Sequence, residues 1–505
     1  MSLLLCHSLK VRGSLPKLYL LSKRCYSHRQ PDPLYTSGRW VWNEEEQLRE
    51  KYREFNIDEL QKVAMEASSA GPCVRMEKLG EGSYNKSFKL TMENKETVVA
   101  RILSPNAGPA FLTTASEVAT MEFLRNVLHL PVPKVLAWNS NTGPMNPVGA
   151  EYIIMEHAPG KQLALVWLDM DLQRKIRTME GVVSIQQKLS STSFSKYGCL
   201  YFSKDAPPGS HPAAISGDDL SYEIKKSVAN RFSIGPMVHT DFWNKERADM
   251  DIDRGPWAFA LEYIQAPALR EHISVIQRYL SLTPHLLPLE EDLLGAFLCH
   301  ADFHTPNIFV DDDGNITSII DWQSSWAGPL FLEGRPPHFL DYKGELLFEL
   351  PENFKDLDQE TQAAVEEQVT KSRIVYLYDK YTAKRNPILS RVFQYPYGKT
   401  LADPIQFAGT TWDRDILSLR ETLIRIQKWE SLDLPGKCPL DFSPDEIRKH
   451  YEDGDAWNEM QDFWDELHPI LGRDGWTSHE TYAAANSIYS EYQAFVALES
   501  RDEKE

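Results

Sequence analysis

Between Leu298 and Gln323 the chain reads LCHADFHTPNIFVDDDGNITSIIDWQ, and no other stretch restricts the fold as tightly. Two short β-prone runs, Ile308–Val310 and Ile316–Ile320, are separated by the turn-forming residues Asp311–Asn315. That pattern predicts a tight hairpin. A hairpin folds the chain back on itself, so Asp321 returns to the neighbourhood of Asp302 and Asn307. Two carboxylates and a carboxamide are then expected at one end of a small sheet.

Phosphoryl transfer needs such a cluster. One carboxylate orients the attacking hydroxyl and accepts its proton, while an Asn and a second carboxylate hold Mg²⁺ against nucleotide phosphates. Mg²⁺ takes oxygen ligands in near-octahedral geometry and keeps several waters, so two protein ligands, Asn307 and Asp321, are enough. His300, Asp302 and Asn307 fill the H-x-D-x-x-x-x-N pattern of a kinase catalytic loop. Asp302 is the expected catalytic carboxylate, and His300 is expected to brace the loop rather than carry a proton. Asp321 opens Asp-Trp-Gln where protein kinases have Asp-Phe-Gly. Reading His300, Asp302 and His304 as metal ligands of a hydrolase would require a further His pair, which the spacing does not supply.

This stretch resembles the aminoglycoside phosphotransferase family, in which H-x-D-x-x-x-x-N is followed by I-D-W. The resemblance implies an α+β, two-lobed, protein-kinase-like fold with a small β-rich N-lobe and a large helical C-lobe. It implies ATP and Mg²⁺ as cofactors and a small-molecule hydroxyl as acceptor. The phrase YTSGRWVWNEEEQLREKYREFNIDEL, the run Phe194–Phe202 with its K-x-G-x-L-Y-F element, and Gly235 to Trp257 are similar to a fungal mitochondrial branch of the same family, named for altered inheritance of mitochondria. The likeness runs from the lead-in almost to the C-terminus.

Three strands are expected at Met76–Leu79, Ser87–Leu90 and Val98–Ile102, with Gly80-Glu81-Gly82-Ser83-Tyr84-Asn85 between the first two. A glycine turn between strands lets backbone N–H groups approach phosphate where a Cβ would intrude. Gly80, Gly82 and Ser83 are therefore nucleotide candidates, with Asn85 at the third glycine position. Arg101, in Val-Val-Ala-Arg-Ile, supplies the cation a kinase needs at the α/β-phosphates, and Glu117 on the next helix is its expected partner, with Glu122 as the alternative. Arginine stands where protein kinases have lysine; its planar fork stays charged and grips phosphate at two points. The strand Glu151–Met155 leads to Glu156-His157-Ala158-Pro159-Gly160. There the resemblance implies the interlobe hinge, with the Glu156 carbonyl and the Ala158 N–H facing adenine.

Beyond the hinge the pattern turns helical, over Asp171–Leu189, Leu261–Leu282, Thr361–Thr382, Thr411–Trp429 and from Pro444 onward. A strand pair is expected within 194–202 and a surface loop over 204–222. The expected division is a leader over 1–26, an N-terminal helical extension over 27–70, an N-lobe over 71–157, and a C-lobe over 158–505. The C-lobe carries an insertion near 195–257 and a helical tail. In the extension, helices are expected over Glu44–Phe55 and from Asp58 as N-cap, with Tyr35, Trp40 and Trp42 docking on the folded body. Trp457, Phe463 and Trp464 are expected to pack the tail on the larger lobe. Asp241, Asp251 and Asp253 could attract a cationic acceptor, although loop acids are usually solvated.

The first 30 residues contain six Lys or Arg and no Asp or Glu, and Arg24-Cys25-Tyr26-Ser27 reads as a processing site. This is the composition of a mitochondrial transit peptide, so a matrix location is expected. The whole chain carries 54 basic and 73 acidic residues, a formal charge of −19, which argues against general affinity for nucleic acid. Its six cysteines show no C-x-x-C spacing, as expected of reduced thiols. No apolar run reaches the length of a membrane span, and oligomeric state is not legible. A nucleotide-binding scaffold without turnover is the alternative function, favoured by Arg101 and opposed by the intact triad Asp302, Asn307 and Asp321.

Overall fold

The computed structural model describes residue 36 and residues 38–502, except 219, 267–272, 343, 411–415 and 469. The expected leader and Tyr35 lie outside these residues. Ahead of the first lobe, strand β1 (Gly38–Trp40) and the helix Glu44–Lys51 form the lead-in. That helix ends earlier than expected because Tyr52 turns extended. The next helix, Ile57–Ser68, is capped by Asn56, whose side chain accepts the Glu59 N–H at 3.1 Å, and not by Asp58.

The N-lobe is a five-stranded antiparallel sheet of β2 (Cys73–Glu81), β3 (Asn85–Met92), β4 (Thr97–Leu103), β5 (Val135–Asn139) and β6 (Tyr152–Glu156), in the order β2-β3-β4-β6-β5. Along β3 half-buried and buried residues alternate throughout, the mark of a sheet with one face on a core. One face packs Phe88, Leu90, Ala100 and Ile154 against Phe55 and Leu60 of the extension. The other packs Ile153 and Met155 against Phe123 and Leu124 of the helix Leu112–Asn126. Strand β7 (Lys161–Gln162) follows the hinge and joins the C-lobe hairpin.

In the C-lobe, the helices Leu172–Ser190 and Gln359–Arg385 pack through Met179, Val183, Ile374 and Tyr378. The helix Pro444–Leu467 starts in the expected manner, with Ser443 and Glu446 forming a reciprocal capping box. Several local expectations are corrected. Ser193–Phe194 and Cys199–Phe202 are both strands but pair with different partners, Ile215–Ser216 and Ala296–Phe297 for the first and Phe232–Gly235 for the second. The stretch 204–222 is not a plain loop, since it contributes the strands His211–Pro212 and Ile215–Ser216. Helices resume in the 261–282 region as expected, as Ala260–Gln265 and Ile273–Leu282 among the described residues.

The lead-in docks as expected of its tryptophans, on the C-terminal tail. Strand β1 pairs antiparallel with Trp476–Ser478, Trp40 is buried, and Trp42 packs on Trp464 and Tyr489. Trp464 meets the lead-in, and the side chains of Trp457 and Phe463 lie outside the description. Among the described residues no helix is long and apolar enough to cross a membrane. The architecture is α+β and two-lobed in the kinase-like manner, sheet-rich first and helical after.

Candidate active site

The stretch from His300 to Ser325 hangs between two paired strands. Ala296–Cys299 runs antiparallel to Trp326–Pro329, and residues 300–325 fill the gap between them. Inside it, Ile308–Val310 pairs with Ile316–Ile319 as a hairpin, with Ile308 opposite Ile319. Its turn is closed by Asp311, whose carboxylate accepts the N–H groups of Asp313 and Asn315 at 3.0 and 2.9 Å. The Ile320 N–H continues the ladder to the Asn307 carbonyl at 3.0 Å. Asp321 therefore follows directly on a residue bonded to Asn307.

His300 is held from both sides of its ring. Nδ1 accepts the Asp302 N–H at 3.0 Å, and Nε2 pairs with the Ile320 carbonyl at 2.9 Å. Those contacts make Nε2 the protonated nitrogen. Burial holds its pKa below the ordinary 6.5, so the neutral ring is favoured. With the Trp322 ring tilted against it at 4.5 Å, His300 ties the loop after Cys299 to the residue before Asp321. Asn307 is buried and donates Nδ2 to the Asp302 carbonyl at 3.0 Å, which turns its amide oxygen away from that contact. The Asp302 side chain is 66% exposed, and its carboxylate lies 2.7 Å from His304 Nδ1, a neighbour that sequence reasoning did not pair with it.

Across the cleft, Arg101 is 4% exposed and Glu117 1%. One guanidinium nitrogen pairs with Glu117, and the other reaches Asp321 Oδ1 at 3.0 Å. Burial pushes the Arg101 pKa down and the Asp321 carboxylate pushes it up; between two carboxylates the guanidinium stays charged. Arg101 Nε and Glu117 Oε1 have no hydrogen-bond partner among the described residues. Glu122, the alternative partner, pairs instead with Arg231 at 2.9 Å. The sheet puts Arg101 opposite Ser87 on β3 and Ile153 on β6.

The glycine turn closes with a Gly82 N–H bond to the Asn85 carbonyl at 2.9 Å. A Cβ at Gly80 or Gly82 would meet no protein atom within 4 Å. Neither glycine is demanded by the protein's own packing, which leaves the space above the turn open to a ligand. Ser83 is exposed on the same turn. Asp321 adopts a left-handed φ of 63° and Ser324 one of 58°, uncommon for residues with a side chain and concentrated at functional sites.

At the hinge, the Glu156 carboxylate accepts Arg125 and the Lys134 N–H at 2.9 and 3.0 Å. Ala158 is buried, and among the described residues its N–H has no hydrogen-bond partner. Beyond it, β7 pairs with Phe309 and Val310, Gln162 donates to the Pro306 carbonyl at 2.6 Å, and Thr317 donates to the Pro159 carbonyl at 2.6 Å. The hinge is thereby stitched to the hairpin that carries Asn307 and Asp321.

Among the described residues no group of three or more His, Cys, Asp or Glu side chains could hold a metal ion, and both nitrogens of His300 are engaged. The donor set that remains, the Asn307 amide oxygen and the Asp321 carboxylate, is all oxygen and only two ligands strong. That fits Mg²⁺, which completes its shell with water and phosphate. Of the loop acids, Asp253 is committed to the fold through Trp257 Nε1 and the Gly255 N–H, each at 2.9 Å. Asp241 lies 3.4 Å from His239, and Asp251 is exposed.

A protein of Aspergillus fumigatus described as a subtelomeric hrmA-associated cluster protein is 29% identical over 467 residues, covering 80% of this chain and 88% of its own. The altered inheritance of mitochondria protein 9 of Yarrowia lipolytica, described as mitochondrial, is 24% identical over 499 residues, covering 89% and 84%. A thermostable mutant of an aminoglycoside phosphotransferase, solved with ADP and hygromycin B, superposes with a TM-score of 0.35 at 16% identity, covering 74% of this chain and 97% of that one. The profile described as "phosphotransferase enzyme family" (APH) matches residues 75–333, just over half of the 505 residues and all of the site from Gly80 to Gln323. The chain belongs to the phosphotransferase enzyme family.

Proposed function

We propose that this chain transfers the γ-phosphoryl group of ATP to a hydroxyl of a small molecule, with Mg²⁺, in mitochondria. The observation that carries the reading is Arg101, buried between Glu117 and Asp321 so that the two lobes share one cation. Residues 71–157 serve as the nucleotide lobe and 158–505 as the lobe that brings the acceptor. Gly80, Gly82 and Ser83 cover the phosphates, Arg101 neutralises them, and the Glu156 carbonyl and Ala158 N–H face adenine. Asp302 orients the acceptor hydroxyl and takes its proton as the new O–P bond forms and the bond to the β-phosphate oxygen breaks. Asn307 and Asp321 would hold Mg²⁺, whose charge offsets that of the β- and γ-oxygens. His300 keeps its proton and holds the loop in place. Catalysis of this kind is mostly placement and charge neutralisation.

The mitochondrial part rests on the acid-free basic leader and on the printed names of relatives such as that of Yarrowia lipolytica. A fluorescent fusion of residues 1–30 should enter mitochondria; diffuse cytosolic signal would refute it. For the chemistry, purified protein is given ATP, Mg²⁺ and a mitochondrial metabolite extract. Asp302→Ala should lose nearly all ATP-dependent transfer while still binding nucleotide, and Asp321→Ala should weaken Mg²⁺-dependent ATP binding. Wild-type rates in both variants would end the proposal. Arginine in the lysine position favours a second reading, a nucleotide-binding scaffold, which predicts Mg²⁺-dependent ATP binding by wild type with no turnover across broad extracts.

A further inference from the structure

Among the described residues, one side chain besides Arg101 joins the N-lobe to the segment after Ile320, and the chemistry just proposed gives it no task. Gln323 stands two residues beyond Asp321. Its Oε1 accepts from Asn85 Nδ2 at 3.4 Å, and its Nε2 donates to the Ala107 carbonyl at 3.1 Å. Asn85 closes the glycine turn, and the Tyr84 carbonyl beside it accepts the Ser104 N–H at 2.9 Å. Ala107 ends the short turn Pro105–Ala107 that leads to the helix carrying Glu117. One carboxamide therefore touches both the phosphate turn and the approach to the partner of Arg101. Its own base is rigid. Trp322 is buried, its Nε1 donates to the Ile319 carbonyl at 3.1 Å, and the left-handed residues Asp321 and Ser324 bracket the pair.

We propose that Gln323 is an interlobe latch, a positioning residue that holds the glycine turn down over Asp321 and keeps the lobes in register while a nucleotide is loaded. This rests on the nucleotide reading above. In the free protein the Arg101–Asp321 ion pair also spans the cleft. Phosphates compete for Arg101 and a cation for Asp321, so that link is the one exchanged when the cleft fills. A carboxamide carries no net charge for either to draw away. Its two bonds can persist through the exchange.

The test uses hydrogen exchange, read by mass spectrometry on the nucleotide-free full chain. Losing one ordinary hydrogen bond shifts a local opening equilibrium by about fivefold. Gln323→Ala should speed exchange by about that factor over 80–87 and over 104–111, with 296–310 unchanged. Asn85→Ala should speed 80–87 alone. Gln323→Glu keeps an acceptor for Asn85 but loses the donor to Ala107, so it should speed 104–111 alone. Calorimetry with MgATP should then show about fivefold weaker binding by Gln323→Ala and unchanged binding of adenosine, which has no phosphates. Unchanged exchange over 80–87 in both alanine variants would overturn the latch, as would, where wild type binds MgATP, an equal affinity in Gln323→Ala. Wild type that binds no MgATP, with the exchange pattern intact, would remove the phosphotransfer reading and leave the latch standing.

Discussion

Removing the Arg101 side-chain charge should be the most disruptive single change at the site, and the structure says by how much. In Arg101→Met the unbranched replacement fills similar space, but Glu117, 1% exposed, is left as a buried charge without its partner. Breaking a buried pair from one side costs about 3–5 kcal/mol. The reverse change is milder. In Glu117→Met the guanidinium keeps Asp321 at 3.0 Å, and that carboxylate is 38% exposed, so about 2 kcal/mol is expected, the worth of one charged hydrogen bond. In the double variant no buried charge is stranded, and exchanging a buried pair for apolar side chains of similar volume is close to neutral, so the loss should fall far below the additive figure of about 6 kcal/mol. Urea unfolding followed by tryptophan fluorescence measures all three against wild type, at unchanged slope. Additive single effects would refute the reasoning, as would an Arg101→Met variant no less stable than Glu117→Met, because the asymmetry follows directly from which group has a second partner.

Two other predictions follow from the hinge and the loop. The folded-state pKa of His300 is depressed below 6.5, so at lower pH the unfolded chain binds more protons than the folded one. Its contribution to stability is full above about pH 6.5 and is lost as pH falls through the lower folded value. A His300→Gln variant should show a flatter decline in melting temperature between pH 7 and 5, and an equal decline would exclude this origin. Gly160 has φ +95°, and a Cβ there would overlap the Val310 carbonyl oxygen. Gly160→Ala should therefore cost more than about 1 kcal/mol and speed hydrogen exchange in the 306–320 hairpin; protection equal to wild type would show that the hinge does not hold the hairpin.

What could be read from the chain was what is encoded locally. The hairpin was legible because β-prone runs flank Asp-Asp-Asp-Gly-Asn, and only a turn accommodates that string. Arg101 and Glu117 were legible because an apolar strand and the next helix bring one position of each toward the same core. Strand partners were not. Ser193–Phe194 and Cys199–Phe202 look like the two arms of one hairpin, yet each buries its apolar side chains against distant strands, and nothing within ten residues carries that choice. The docking of Trp42 on Trp464 and Tyr489 joins residues more than 400 positions apart. The tryptophans announced burial but not the surface that buries them. Gln323 gave no signal, since a glutamine two residues after an aspartate is ordinary until Asn85 and Ala107 are placed beside it.

The ties between the lobes differ in kind, and that difference decides which motion is soft. At the rear, the Ile319 N–H bonds the Pro131 carbonyl at 2.8 Å, main chain to main chain. Backbone ties of this sort survive almost any substitution. At the front, the lobes meet through the side chains of Arg101 with Asp321 and of Gln323 with Asn85 and Ala107. Those are contacts that ligands and mutations can exchange. We expect the cleft to open about the Pro131–Ile319 contact, moving the glycine turn most and Asn307 and Asp321, carried by one hairpin, least relative to each other. Front-side substitutions should consequently change nucleotide affinity long before they disturb the hairpin.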